Sequence, residues 1–325
     1  MQLVKTLNVS IMEIQILRSL VDEYKPSAEL LAAINTALFL NRPLLLSGDP
    51  GTGKTECANF VARQLNQLYP YVFISKTALR FDTKSGSQSS DLFYSYDAVS
   101  HFGDKTNRLK ESFISFNGFG VALLGTNNFD PGLKRFMNYE REVFNKNSCF
   151  GSVVLIDEID KAPRDFPNDL LAELEKPPFK FSIKELPDFT VEQDTRFPVF
   201  TIITSNNEKG LPDAFLRRCV FHHISFPNEK ELLQIVRSNL KTDNTYFDAV
   251  IEKFTELRSK NLVKKPATAE LIDWIACLQQ KKLLNSNMTN WKGADDDYKT
   301  KLIETLGIIT KSQADFDTVR KEIIG

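Results

Sequence analysis

The sequence predicts an α/β domain with a parallel sheet core and helices on both faces, followed by a small all-helical domain. Three observations predict it. Short runs at residues 43–48, 152–160 and 199–207, apolar until their polar or acidic ends, read as buried parallel strands, and helical patterns alternate with them. After Pro227 the strands stop and only amphipathic helical patterns follow. The length of 325 residues accommodates two domains. The boundary falls at 226–228, giving residues 1–227 and 228–325 as the expected domains.

Each element has a local reason. Residues 27–40 carry Leu30, Leu31, Ile34 and Leu38 at helical spacing, and Ser27 after Pro26 is a helix start. Pro43 ends that pattern, and PLLLSG is a buried strand. GDPGTGKT follows, then a helix marked by Cys57, Phe60, Val61, Gln64, Leu65 and Leu68. Residues 71–75, YVFIS, read as the next buried strand. Residues 83–150 are rich in Ser, Asn, Gly and aromatic residues and are expected to form an insertion with helices of its own. SVVLIDEID is a strand ending in acids, and 165–175 is a helix. FKFSI and DFTVE form a hairpin within 177–198, and VFTIITSNN is another core strand. Four helical patterns complete the chain, at 228–240, 246–260, 268–284 and 295–324.

Composition excludes several classes. Lys plus Arg is 41 against 42 Asp plus Glu, a net charge of −1, so nucleic acid is not an expected partner of the chain as a whole. No apolar run reaches the roughly 18 residues of a spanning helix, and no secretory leader pattern opens the sequence, so a cytoplasmic protein is expected. Cys57, Cys149, Cys219 and Cys277 form no CxxC pair and are expected as buried free thiols. With only three histidines, a histidine-based metal or catalytic centre is poorly supplied.

The chemistry lies in four short segments. Gly48-Asp49-Pro50-Gly51-Thr52-Gly53-Lys54-Thr55 fits G-x-x-x-x-G-K-[ST] between a strand and a helix, with Glu56 next in line. Glycines there let backbone N–H groups face phosphate oxygens, Lys54 supplies charge for the β and γ phosphates, and the Thr55 hydroxyl can ligate Mg2+. A plain Gly-rich turn is the bland alternative, and the flanking strand and helix argue against it. Asp157 and Glu158 leave an apolar strand at its carboxyl edge, where ligands of parallel sheets bind. Asp157 suits the magnesium shell and Glu158 the polarisation of an attacking water. Asn206 closes the next strand, as a water-orienting amide or as a turn residue. Arg217 and Arg218 are either surface charge or an arginine finger reaching a neighbouring subunit's γ-phosphate. No Asn-Lys-x-Asp tetrapeptide supports a guanine nucleotide.

The order of these segments resembles the AAA+ ATPases and, more narrowly, the MoxR family. The resemblance is carried by AINTALFLNRPLLLSGDPGTGKT, SGSQSSDLFYSYDAVSHF, VVLIDEIDKAP and TIITSNNEKGLPDAFLRRC, and covers about residues 25–275. It implies a P-loop NTPase core with a helical lid. Lys54 and Thr55 match Walker A, Asp157 and Glu158 Walker B, Asn206 sensor 1, and Arg218 the finger, with Arg217 as its neighbour. It further implies ATP and Mg2+ as ligands, a homo-oligomeric ring expected as a hexamer, a protein client, and a partner with a von Willebrand factor A domain in trans. The insert at about 83–103 and the hairpin at 177–198 are implied to face the pore. Residues 264–274 depart from the family pattern, because no sensor 2 arginine stands there. Lys264 or Lys265 is the available substitute.

The reading is therefore an ATP-hydrolysing remodeller of protein partners. The alternatives are a clamp-loader-like ATPase on nucleic acid and a slow-hydrolysing, nucleotide-gated signalling scaffold. The aromatic cluster of Phe93, Tyr94, Tyr96 and Phe102 is either a substrate-gripping surface or core packing. His222 and His223 are read as structural, one facing in and one out, and Asp295–Asp297 as a helix start.

Overall fold

A computed structural model of the protein describes residues 24–127, 149–174, 177–206 and 208–324. The 128–148 part of the expected insertion lies outside the described residues. The described chain forms two compact units, one of residues up to Gly48 together with Gly53–Ile224, the other of Asp49–Thr52 together with Ser225 onward.

The first unit is built on a five-stranded parallel sheet of order β2-β5-β8-β1-β9, with β1 Leu44–Ser47, β2 Leu79–Asp82, β5 Ser152–Asp157, β8 Val199–Ser205 and β9 Val220–His223. Successive side chains of a strand point to opposite faces, and both faces are buried here. Leu44, Leu46, Val153, Leu155 and Ile202 face one core, with helices α1 (Ala28–Leu40) and α2 (Lys54–Leu68) packed there through Ile34, Phe60 and Leu65. Leu45, Val154, Ile156 and Ile203 face the other, against α4 (Gly118–Thr126) and α5 (Phe166–Glu173). Double burial explains why these strands read as unbroken apolar runs.

The second core strand is not where the apolar run put it. Residues 71 and 72 form a turn, with the Val72 and Phe73 N–H groups donating to the Tyr69 carbonyl, Phe73 makes only an isolated bridge to Gly151, and 74–75 join no strand. The strand is instead Leu79-Arg80-Phe81-Asp82, which sits at the sheet edge and buries only Phe81. An edge strand needs no apolar run, so periodicity missed it.

Within the insertion, β3 (Tyr94–Tyr96) and β4 (Ile114–Phe116) pair antiparallel around α3 (Ala98–Gly103). The hairpin of β6 (Lys180–Ile183) and β7 (Leu186–Glu192) packs onto it. Phe93 stacks on Phe181 at 4.9 Å, and the Tyr94 hydroxyl accepts the Lys184 N–H at 2.9 Å. Phe93 and Tyr94 are therefore core, whereas Phe102 on α3 is 87% exposed. A short helix, α6 (Asp213–Leu216), precedes β9. On β9, His222 is half-buried and His223 exposed.

The second unit contains α7 (Glu229–Leu240), α8 (Phe247–Ser259), α9 (Thr268–Gln280), α10 (Asp296–Ile303) and α11 (Gln313–Ile324). The sequence reads 295–324 as one helix, but the chain breaks after Ile303 into a 3-10 turn at Leu306–Ile308 before α11. Gly307 and the buried Thr305 and Thr310, whose hydroxyls bond backward to carbonyls, favour that interruption. Asp295 caps α10 by accepting the Tyr298 N–H at 2.8 Å, as a helix start should. Trp274 and Trp291 fill the unit's core, and the Trp274 indole N–H reaches the Thr305 hydroxyl at 2.8 Å.

All four cysteines are free. Cys57 and Cys149 are buried, while Cys219 and Cys277 are only partly so, which corrects the expectation of four buried thiols. Among the described residues no helix is long and apolar enough to cross a membrane.

Three substitutions test this packing. A Cβ on Gly120 would lie 1.9 Å from the Phe93 carbonyl oxygen, so Gly120→Ala is expected to cost the first unit about 3 kcal/mol or more in denaturant unfolding. Thr305→Val strands a buried indole N–H and is expected to cost about 1–3 kcal/mol, whereas adding Trp274→Phe to it recovers part of the hydrogen-bond loss.

Candidate active site

The loop after β1 turns through three positive-φ glycines, Gly48, Gly51 and Gly53, at φ 152°, 75° and 86°. The last two lie in the left-handed region where a side chain is strained, which is why this loop needs glycine. Gly53 stands at the N-terminus of α2, so the first N–H groups of that helix are unpaired by the helix itself and suit an anion. Lys54 is buried, and its ammonium lies 2.7 Å from the Gly48 carbonyl oxygen. Glu56 faces outward to Arg63 at 2.8 Å.

Thr55 and Asp157 meet at the carboxyl edge of the sheet. The Thr55 hydroxyl lies 3.1 Å from Asp157 Oδ2, and Asp157 is 4% exposed. A hydroxyl and a carboxylate converging beside a buried lysine form a hard-oxygen pair that fits a magnesium ion travelling with phosphates.

Glu158 follows in a left-handed conformation, φ 55° and ψ 52°, an uncommon state for a residue with a side chain. Its surroundings hold it there. Its N–H donates to the Thr204 hydroxyl at 2.8 Å, and that hydroxyl donates in turn to Asp157 Oδ1 at 2.5 Å. The Thr83 hydroxyl is shared between the carbonyl oxygens of Asp157 and Glu158. Glu158 Oε1 accepts from the Asn206 amide at 3.2 Å, and Oε2 pairs with Lys161. That pairing holds the Lys161 ammonium above the ordinary lysine range. Buried Asp160 accepts the N–H groups of Asn206, at 3.2 Å, and Glu208, at 3.0 Å, and so fixes the backbone that presents Asn206.

Lys54, Thr55, Asp157, Glu158 and Asn206 are thus gathered at one sheet edge. Arg217 and Arg218 are elsewhere. Both are exposed just before β9, the far edge strand, with β8 and β1 between it and the acid-bearing β5.

In the second unit, Asp49–Thr52 have their own neighbours. The Thr52 hydroxyl donates to the Asp49 carbonyl at 2.9 Å. Arg258 on α8 donates to Asp49 Oδ2 at 2.7 Å, lies 3.5 Å from the Phe226 ring centre and also reaches the Pro266 carbonyl. Burial lowers its pKa, opposed by Asp49. Lys264 and Lys265, the substitutes read from sequence, are exposed. Sequence reasoning missed Arg258, because an arginine in an amphipathic helix looks like solvated charge. It missed Thr83, Asp160 and Thr204 because their roles depend on neighbours distant in sequence.

Residues 44–228, more than half the chain, match the ATPase family associated with various cellular activities (AAA). Solved structures of the FIGL-1 AAA domain are similar: the ADP complex at 19% identity and TM-score 0.38, covering 85% of this chain and 75% of that one, and a second structure at 17%, 0.37, 86% and 76%. No curated protein matches the chain. The matched span takes in the Gly48–Thr55 loop, the acidic end of β5 and Asn206, and the chain belongs to the AAA family of ATPases.

Proposed function

We propose that the protein is a MoxR-type AAA+ ATPase that couples Mg-ATP binding and hydrolysis to the remodelling of protein partners, as a homo-oligomeric ring, expected as a hexamer. The observation that carries this reading is the split of the machinery. The acid-and-amide cluster sits at one place in the sheet, and the exposed arginines sit across it on the far edge. An arginine placed so suits a neighbouring copy's nucleotide better than its own.

In this reading Gly48–Gly53 and Lys54 hold the phosphates, and Thr55 and Asp157 hold Mg2+, which supplies charge neutralisation on the transferred phosphoryl group. Glu158 polarises water and takes its proton, and Asn206 orients the Glu158 carboxylate through the 3.2 Å contact. Arg218, or its neighbour Arg217, stabilises the transition-state charge from the adjoining subunit. The exposed Val99 and Phe102 on α3 support contact with a protein client. So does the groove of about 670 Å³ beside β6, with Ser89, Asp165, Asp169 and Lys180 in its wall. A partner with a von Willebrand factor A domain and a cytoplasmic setting belong to the same proposal.

A slow-hydrolysing scaffold is the second reading, favoured by one observation: Lys161 engages the carboxylate that would polarise water.

Complementation separates the two. Glu158→Gln and Arg218→Ala should each bind ATP yet turn over about 10²- to 10⁴-fold more slowly than wild type. Mixed together, they should regain turnover, because hybrid interfaces pair an intact Glu158 with an intact Arg218. Turnover per wild-type subunit should also rise with protein concentration. Negligible wild-type turnover at every concentration, with tight ATP binding, supports the scaffold instead.

A further inference from the structure

Asp157 has a partner that no part of the proposed reaction uses. Arg80, on the edge strand β2, places Nη2 2.8 Å from Asp157 Oδ2, the same oxygen that faces the Thr55 hydroxyl at 3.1 Å. The parallel register of β2 and β5 sets Asp82 beside Asp157 and Arg80 beside Leu155, so the Arg80 side chain runs along its strand toward the carboxyl edge. On the way its Nε donates to Asp82 Oδ1 at 2.7 Å. One guanidinium thus bridges a buried carboxylate and an exposed one: side-chain exposure is 5% for Asp157, 60% for Asp82 and 51% for Arg80 itself.

We infer that Arg80 is an intramolecular competitor of magnesium: it neutralises Asp157 when no divalent cation is there and is displaced when the cation arrives with nucleotide. This rests on the proposed reading of Asp157 as the metal acid and goes beyond it by assigning a residue that sets the magnesium requirement. The physical reasons are three. A buried carboxylate needs a counter-charge or full hydrogen bonding, and two hydroxyls alone leave Asp157 with its charge uncompensated. A divalent cation drawn to Thr55 and Asp157 meets the guanidinium charge at the same oxygen, and like charges at that range repel. Release of Arg80 costs little, because the guanidinium is half in water and keeps Asp82 as a partner. Arg80 acts through Asp157, so it is a positioning residue.

The test is equilibrium binding of ADP carrying a fluorescent methylanthraniloyl group, titrated with Mg2+. The proteins are wild type, Arg80→Gln, Arg80→Met and Asp157→Asn. Both Arg80 variants should lower the half-saturating Mg2+ concentration by roughly three- to tenfold. They should leave binding in EDTA within about twofold of wild type, and lower the metal-free melting temperature. Either variant alone carries the test if the other fails to fold. An unchanged or raised magnesium requirement overturns the inference. Asp157→Asn separates this failure from failure of the underlying reading. If it flattens the magnesium dependence while the Arg80 variants match wild type, only the competitor role falls. If it keeps the wild-type magnesium dependence, the metal role of Asp157 falls and the inference with it.

Discussion

The site depends on one buried carboxylate. Asp157 sits where the central strand β5 ends, and a charge there is tolerable only with partners on every accessible side. Thr204 from β8 serves one oxygen; Thr55 from α2 and Arg80 from β2 serve the other. Three elements flanking β5 are therefore registered to a single residue. The same Thr204 hydroxyl accepts the Glu158 N–H, so the conformation of Glu158, the glutamate we propose to polarise water, follows from how Asp157 is satisfied. Thr83 completes the arrangement from the end of β2 by holding the two carbonyl oxygens of the turn. The left-handed φ at Glu158 is the strain these contacts sustain.

The doubly covered sheet makes that precision affordable. Apolar side chains line both faces of β1, β5 and β8, and the carboxyl ends of these strands are where Asp157, Glu158 and Asn206 emerge. The insertion and the β6–β7 hairpin share an aromatic core with the face that holds α4 and α5. Their exposed elements, such as the Phe102-bearing α3, are thus carried on the packed core of the first unit. The second unit has a core of its own around Trp274 and Trp291 and holds Asp49 through the half-buried Arg258.

How much of this was legible in the sequence follows from physical range. The apolar runs at β1, β5 and β8 and the helix patterns of α1 and α2 were readable, because burial on both faces or on one stripe writes a local pattern. Lys54, Thr55, Asp157, Glu158 and Asn206 occur in short contiguous segments that are readable locally, and the ends of β1, β5 and β8 bring those segments to one sheet edge. Whatever depends on long-range pairing was not readable. Edge strand β2 carries a charged LRFD sequence and was displaced to the apolar YVFIS nearby. Thr83, Thr204, Arg80 and Arg258 are ordinary polar residues until the fold brings their partners to them. The broken helix at residues 304–312 was hidden because Gly307 alone is a weak stop signal.

The central claim is that one hydroxyl, that of Thr204, ties Asp157, the proposed metal acid, to Glu158, the proposed water-polarising glutamate. The direct measurement is kcat and nucleotide affinity for Thr204→Val and Thr204→Ser beside wild type. Valine keeps the shape and loses both hydrogen bonds, so kcat should fall about 10²-fold, with Mg-dependent nucleotide binding weakened as well. Serine, which restores the hydroxyl, should recover most of both. A valine variant with wild-type kcat and wild-type magnesium dependence would contradict the account.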